Sequence, residues 1–159
     1  MHKIVIFGNS GSGKSTLAKR LCAEENISHL DLDLLAWQAT VPPERMPLEQ
    51  SAAEISKFIG THDGWVIEGC YSDLLELALP FSNEMIFMNL PVEACIENAK
   101  SRPWEAHKYE SKAAQDANLD MLIDWISQYA ERSDTLSQVA HNRLYENYSG
   151  KKRMLNCNE

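Results

Sequence analysis

The sequence predicts an α/β fold in which helices cover both faces of a parallel sheet. Three observations lead there. Short β-branched and aromatic runs alternate with segments of helical periodicity, the first run stops at a glycine-rich loop that opens directly into a helix, and the next two runs end in acidic residues. Strands joined through helices cross over with a right hand, and ligands of such sheets bind beyond the carboxyl ends of the strands. The 159 residues, 44% of them hydrophobic, can bury one sizeable core and read as a single domain over 1–159.

The elements follow in order. Lys3–Phe7 is an apolar run stopped by Gly8, as for a strand buried on both faces. Lys14–Glu25 carries Leu17, Ala18, Leu21 and Cys22 at helical spacing, and Ile27–Leu32 reads as a second strand. Trp37–Pro47 is irregular, because Pro42, Pro43 and Pro47 each remove a donor and disfavour helix in the preceding residue. A helix over Leu48–Thr61 with Ala52, Ile55 and Ile59 on one face leads through the turn His62-Asp63-Gly64 into a third strand, Trp65–Gly69. Met85–Leu90 makes a fourth strand, and Pro91 suits the first turn of the helix after it. Pro103–Asn118 is polar and reads as a mobile surface segment entering a helix. Leu119, Leu122, Ile123, Ile126 and Ala130 then fall on one helical face, Asp134–Tyr148 forms a last helix ended by Gly150, and Lys152–Asn156 fits a short fifth strand.

Composition excludes several function classes. Fifteen Lys and Arg against 23 Asp and Glu give a net charge of −8, which argues against a nucleic-acid-holding protein, since phosphate-backbone affinity needs clustered cations. No stretch approaches membrane-spanning length, and the apolar run Ile4–Phe7 is too short for a secretion signal. Cys22, Cys70, Cys95 and Cys157 lack metal-ligand spacing and suit reduced thiols in the cytoplasm.

Gly8-Asn9-Ser10-Gly11-Ser12-Gly13-Lys14-Ser15 matches GxxxxGK[ST] between a predicted strand and a predicted helix. Glycines let successive N–H groups converge on phosphate oxygens, and the following helix turns its positive end to the same anion. Lys14 would reach the β- and γ-phosphates of ATP, Ser15 would hold magnesium, and Thr16 is a further phosphate contact. Magnesium also calls for carboxylate oxygen, and Asp31 and Glu68 at strand ends are the candidates. Asp33 is the candidate base for a hydroxyl acceptor. Cations that close over developing charge are sought at Arg102 and Arg132, while Lys108 and Arg143 read more simply as solvated charges. His107 and Tyr109 are candidate contacts to a nucleobase or acceptor.

The order of GNSGSGKS, LDLD, WVIEGCY and a later arginine-bearing segment resembles the adenylate kinase and shikimate kinase group of small P-loop kinases. More narrowly it is similar to adenylate-kinase-related proteins labelled DNA topology modulation proteins, through His29-Leu30-Asp31 ahead of a tryptophan and Trp65-Val66-Ile67-Glu68-Gly69-Cys70-Tyr71. The resemblance implies a three-layer P-loop fold of the nucleoside-monophosphate-kinase kind with a five-stranded parallel sheet. It also implies an acceptor-binding segment near 37–61 with Asp33, Trp37, Arg45 and Gly69 on the acceptor side, and a lid near 102–118. Glu68-Gly69 stands where adenylate kinases show Asp-Gly, and the triple glycine of shikimate kinases is absent, which argues against shikimate as acceptor. No Asn-Lys-x-Asp motif occurs, so ATP is expected over GTP.

The expected activity is ATP- and magnesium-dependent phosphoryl transfer to a nucleotide, nucleoside or small hydroxyl metabolite, by a monomer or homodimer. The alternative is a nucleotide-binding regulatory protein with weak or no kinase activity, favoured by the sparse lid arginines.

Overall fold

A computed structural model describes residues 1–40 and 42–158. Val41, within the expected acceptor segment, and Glu159 lie outside the described residues. Five strands, β1 (Lys3–Gly8), β2 (Ser28–Asp31), β3 (Trp65–Gly69), β4 (Glu84–Met88) and β5 (Lys151–Leu155), form one sheet in the order β2-β3-β1-β4-β5, every pair parallel. Helices α1 (Lys14–Glu25), α2 (Asp33–Ala36), α3 (Leu48–Thr61), α4 (Ser72–Ala78), α5 (Val92–Lys100), α6 (Lys112–Ala117), α7 (Leu119–Ser127) and α8 (Gln138–Asn147) connect or follow them.

The central strand shows why the sheet is buried on both faces. Side chains alternate across a strand, so Val5 and Phe7 join one core with Leu32, Ile55, Trp65, Leu74 and Leu144, contributed by the α2, α3, α4 and α8 side. Ile4 and Ile6 join the other, with Leu17, Ala18, Cys95, Ala99 and Ile126 from α1, α5 and α7. Two packed faces make three layers. Phe7 stacks on Phe87 with centroids 4.9 Å apart, and the buried His141 meets Phe7 edge-on at 5.5 Å.

Several boundaries differ from the sequence reading, each for a local reason. The second strand stops at Asp31, because Leu32 turns into the short helix α2 and makes Asp33 its first residue. The helix α4 and the 3₁₀ turn Leu79–Phe81 arise from an apolar run whose period alone does not identify it. Pro91 has extended backbone (φ −56°, ψ 147°) and precedes α5 instead of lying in its first turn. The fourth strand runs Glu84–Met88, short of the expected Leu90. The helix expected to reach Ala130 stops at Ser127. The last helix begins at Gln138 because Ser137 caps it, its hydroxyl accepting from the Ala140 N–H at 3.1 Å. Among the described residues no helix is long and apolar enough to cross a membrane.

Candidate active site

A cleft of about 480 Å³ opens beyond the carboxyl ends of β1 and β3, within the range of small-ligand sites. Its first wall is the loop Gly8–Ser15 and the start of α1. Gly11 has φ 78°, and a Cβ there would lie 2.4 Å from the Cys95 carbonyl oxygen, so no larger residue fits. Gly13, at φ 93°, caps α1 from the left-handed region. Side-chain amides hold the loop from behind. Asn98 donates to the Gly11 carbonyl at 2.8 Å, and Asn158 donates to the Ser12 carbonyl at 3.0 Å while accepting from Asn98 at 2.8 Å. Asn9 is buried and donates to the Ile126 carbonyl at 3.2 Å.

Ser10, Gly11, Gly13, Lys14, Ser15 and Thr16 line the cleft, whereas Asn9 and Ser12 are buried and shape the loop from below. The Lys14 ammonium donates to the Asn9 carbonyl at 2.8 Å. A glycine-formed concavity, a helix N-terminus and a lysine together fit a phosphate chain.

At the floor, the buried Glu68 carboxylate accepts from the Ser15 hydroxyl at 2.6 Å and lies 3.0 Å from His29 Nε2. Burial pushes this carboxyl up, but the His29 hydrogen bond, the Lys14 charge and the Ser15 hydroxyl outweigh it and hold Glu68 below its ordinary value. Among the described residues no group of three or more His, Cys, Asp or Glu could hold a metal alone. Ser15 with Glu68 fits magnesium, which takes one or two protein ligands and draws the rest from phosphate and water.

The facing wall is assembled from distant segments. Asp33 accepts from the Tyr71 hydroxyl at 2.5 Å and lies 2.7 Å from Lys108 Nζ. Burial raises the Asp33 carboxyl, yet the Lys108 charge, the Tyr71 hydrogen bond and Lys14 bring it below the usual carboxylate range. For Lys108, burial favours the neutral amine, but Asp33, Asp31 and Glu105 overcome it and keep it cationic. Tyr71, raised by burial and by the neighbouring Asp33 carboxylate, stays protonated and donates to Asp33, while accepting from Trp37 Nε1 at 2.9 Å. Cys70 is among the residues lining the cleft, but burial in the core pushes its thiol up to about 12, so it is no thiolate nucleophile.

The remaining expected residues are placed as follows. Asp31 is opposite Glu68 in the β2–β3 register, but it is not among the residues lining the cleft. Its carboxylate accepts from the Asp33 N–H at 2.9 Å and lies 3.6 Å from Lys108 and 3.8 Å from His107, and burial with the Glu68 and Asp33 charges raises it. Gly69 lines the cleft, and a Cβ there would come within 2.9 Å of Leu32. Trp37 and Arg45 form an antiparallel bridge beside this wall, with the Arg45 guanidinium 5.0 Å from the Tyr71 ring centroid and 3.0 Å from Asp73. Arg102 lines the cleft and pairs with Glu105 at 3.1 Å.

Arg132 is not brought to the cleft lining. Its guanidinium stacks 3.7 Å from the Trp125 ring centroid and donates to the Trp125 carbonyl at 2.5 Å, which joins the end of α7 to the turn before α8. Arg143 is exposed on α8, and the Tyr109 hydroxyl accepts from Asn118 at 2.9 Å. Sequence reasoning missed Tyr71, His29, Asn98 and Asn158 as parts of the site and read Lys108 as solvated. Adjacency of Tyr71 to the Glu68-Gly69 strand end was the one available signal.

The sequence profile of the AAA domain family matches residues 4–120. No protein of curated function matches the chain. Among solved structures, the shikimate kinase of Bacteroides thetaiotaomicron is 16% identical with a TM-score of 0.53, the likeness covering 98% of this chain and 85% of that one. A sugar kinase of a Janibacter species is 14% identical with a TM-score of 0.54 over 98% of this chain and 85% of that one. At such identities the likeness establishes the shared fold of small P-loop kinases.

Proposed function

The chain belongs to the AAA domain family, and on that premise we propose an ATP- and magnesium-dependent phosphotransferase acting on a nucleotide, nucleoside or small hydroxyl metabolite. The observation that carries the proposal is a half-buried carboxylate, Asp33, held ionised by Lys108 and lining the same cleft as the phosphate loop. A carboxylate there serves an acceptor hydroxyl and has no part in simply holding a nucleotide.

Loop N–H groups and Lys14 would bind the phosphates, and Ser15 with Glu68 would hold magnesium. The metal, when bound, supplies charge neutralisation at the β- and γ-phosphates. The acceptor O–H gives its proton to Asp33 as its oxygen bonds to the γ-phosphorus, and the bond from that phosphorus to the bridging oxygen of ADP breaks. Tyr71 and Lys108 orient Asp33 for that proton and keep it ionised until then. Free Cys22, Cys70, Cys95 and Cys157 support a cytoplasmic setting.

A coupled ADP-release assay with magnesium, ATP and an acceptor panel tests the reading. Acceptor-stimulated release that disappears in Lys14→Ala upholds it. The second reading, a nucleotide-binding regulator, draws on the engagement of both expected arginines, Arg102 with Glu105 and Arg132 with Trp125. It prevails if ATP binds tightly and no acceptor stimulates release.

A further inference from the structure

The charges on the acceptor wall limit what the acceptor can be. Asp33 from α2 and Glu105 from the segment before α6 line this side of the cleft, and Asp31 from β2 and Asp73 from α4 lie behind it against Lys108 and Arg45. Among the described residues, the cations on this side are Arg102 and Lys108 in the lining and Arg45 beside it, with His107 beside Asp31 and Glu105. Each cation already has a carboxylate at close range. Arg45 lies 3.0 Å from Asp73, Arg102 lies 3.1 Å from Glu105, and Lys108 lies 2.7 Å from Asp33 and 3.6 Å from Asp31 and Glu105. Arg45 is further committed by its Nε, which donates to the Ala36 carbonyl at 3.2 Å, and by its face, which lies over Tyr71.

Recognition of a phosphate or carboxylate on an acceptor needs guanidinium or ammonium donors aimed at it, ideally the two-pronged fork of an arginine. On this wall those donors are turned inward onto acids. A second anion would meet Asp33 and Glu105, which line the cleft, and like charges in a partly desolvated site are strongly disfavoured. The opposite wall carries Lys14 and Lys19 together with the loop, and Arg20, 3.6 Å from Glu24 on its own helix, also lines it, so polyphosphate charge belongs there. At the rim of the acceptor side Trp37 is 42% exposed, its indole N–H fixed on Tyr71. It offers a flat face of the kind that suits the C–H surface of a ring.

We infer that the acceptor is an uncharged hydroxyl compound, of the sugar, polyol or nucleoside kind, and not a phosphorylated or carboxylated one. The inference rests on the phosphotransferase reading and narrows it. It excludes nucleoside monophosphates and hydroxy acids from the acceptor range.

Acceptors with and without an anionic group test it. Adenosine against AMP, and glucose against gluconate and glucose 6-phosphate, are compared by kcat/KM at saturating ATP and magnesium. The neutral member of at least one set is expected to lead by about tenfold or more. An anionic member used equally well or better overturns the inference while leaving the phosphotransferase standing. Asp73→Asn, which retains a side-chain acceptor for the Leu74 N–H and releases Arg45, is expected to move the ratio toward the anionic member by about tenfold. An unmoved ratio counts against the pairing of Arg45 as the source of discrimination and overturns the charge argument. ADP release that no compound stimulates removes the phosphotransferase reading and this inference with it, and thermal protection by ATP that is lost in Lys14→Ala would still mark the loop as a nucleotide site.

Discussion

The loop wall of the cleft is made largely of backbone, held in place by three asparagine side chains, whereas the facing wall is made of two ionised side chains and a phenol drawn from positions 33, 108 and 71. The first depends on conformations that only glycine adopts easily. The second depends on the mutual neutralisation of Asp33 and Lys108. Backbone geometry is set by contiguous residues, so damage there should impair nucleotide binding and stability together. Ion-pair geometry is set by convergence of remote segments, so damage there should impair turnover with binding intact.

The largest effect should separate the two walls. Asp33→Asn is expected to lower acceptor-dependent turnover by about a hundred- to ten-thousand-fold, with ATP affinity little changed in calorimetry. A parallel loss of ATP affinity would show that the walls act as one unit. Gly11→Ala strikes the other wall, placing a methyl group 2.4 Å from the Cys95 carbonyl at a φ of 78°. Left-handed backbone costs an alanine roughly 1–3 kcal/mol before that collision, so melting should fall by about 5–10 °C and ATP binding should drop. Retained binding would mean the loop has room that its packing does not suggest.

His141 underlies both walls. It contacts the Cys70 carbonyl at 2.7 Å and Tyr129 at 2.6 Å, and burial lowers it to about 4, with Lys14 and Arg132 adding to the effect. A histidine depressed on folding is protonated first in the unfolded chain. Its contribution is therefore complete above the unfolded value of 6.5 and is lost as pH falls toward 4. The difference corresponds to roughly 3 kcal/mol. Chemical denaturation from pH 7 to 4 should show that loss in the native chain and a flatter profile in His141→Gln. The smallest effect is expected for Tyr71→Phe, which takes one donor from Asp33 and the acceptor from Trp37. A decrease of about tenfold in kcat/KM is expected, with stability changed by about 1 kcal/mol.

The same contrast explains what could be read from the chain. Lys14–Glu25, Leu48–Thr61 and Trp65–Gly69 were legible to the residue, because apolar period and glycine or turn punctuation coincide at their ends. The phosphate loop was legible for the same reason, as one unbroken motif. Asp33 and Glu68 were found as acids following strand-like runs. The short α2 escaped because four residues show no period, and α4 escaped because Leu74–Leu79 reads equally as helix or strand. A cation's partner is a tertiary fact. Nothing near Arg132 in sequence foretells its stacking on Trp125, and nothing near Lys108 foretells that it reaches Asp33 across 75 positions.

The edge position of β2 carries one further consequence. This strand has four residues and pairs only with β3, through a register that sets Asp31 against Glu68 and delivers Asp33 two residues on. A slip of one residue would reverse the facing of every side chain in β2 and carry Asp33 about 3.3 Å along the sheet. Tyr71 and Lys108 are anchored elsewhere and would not follow. A mispaired chain could therefore fold its loop, bind nucleotide and still be silent in turnover, so the ratio of turnover to bound nucleotide becomes a gauge of correct strand registry after refolding.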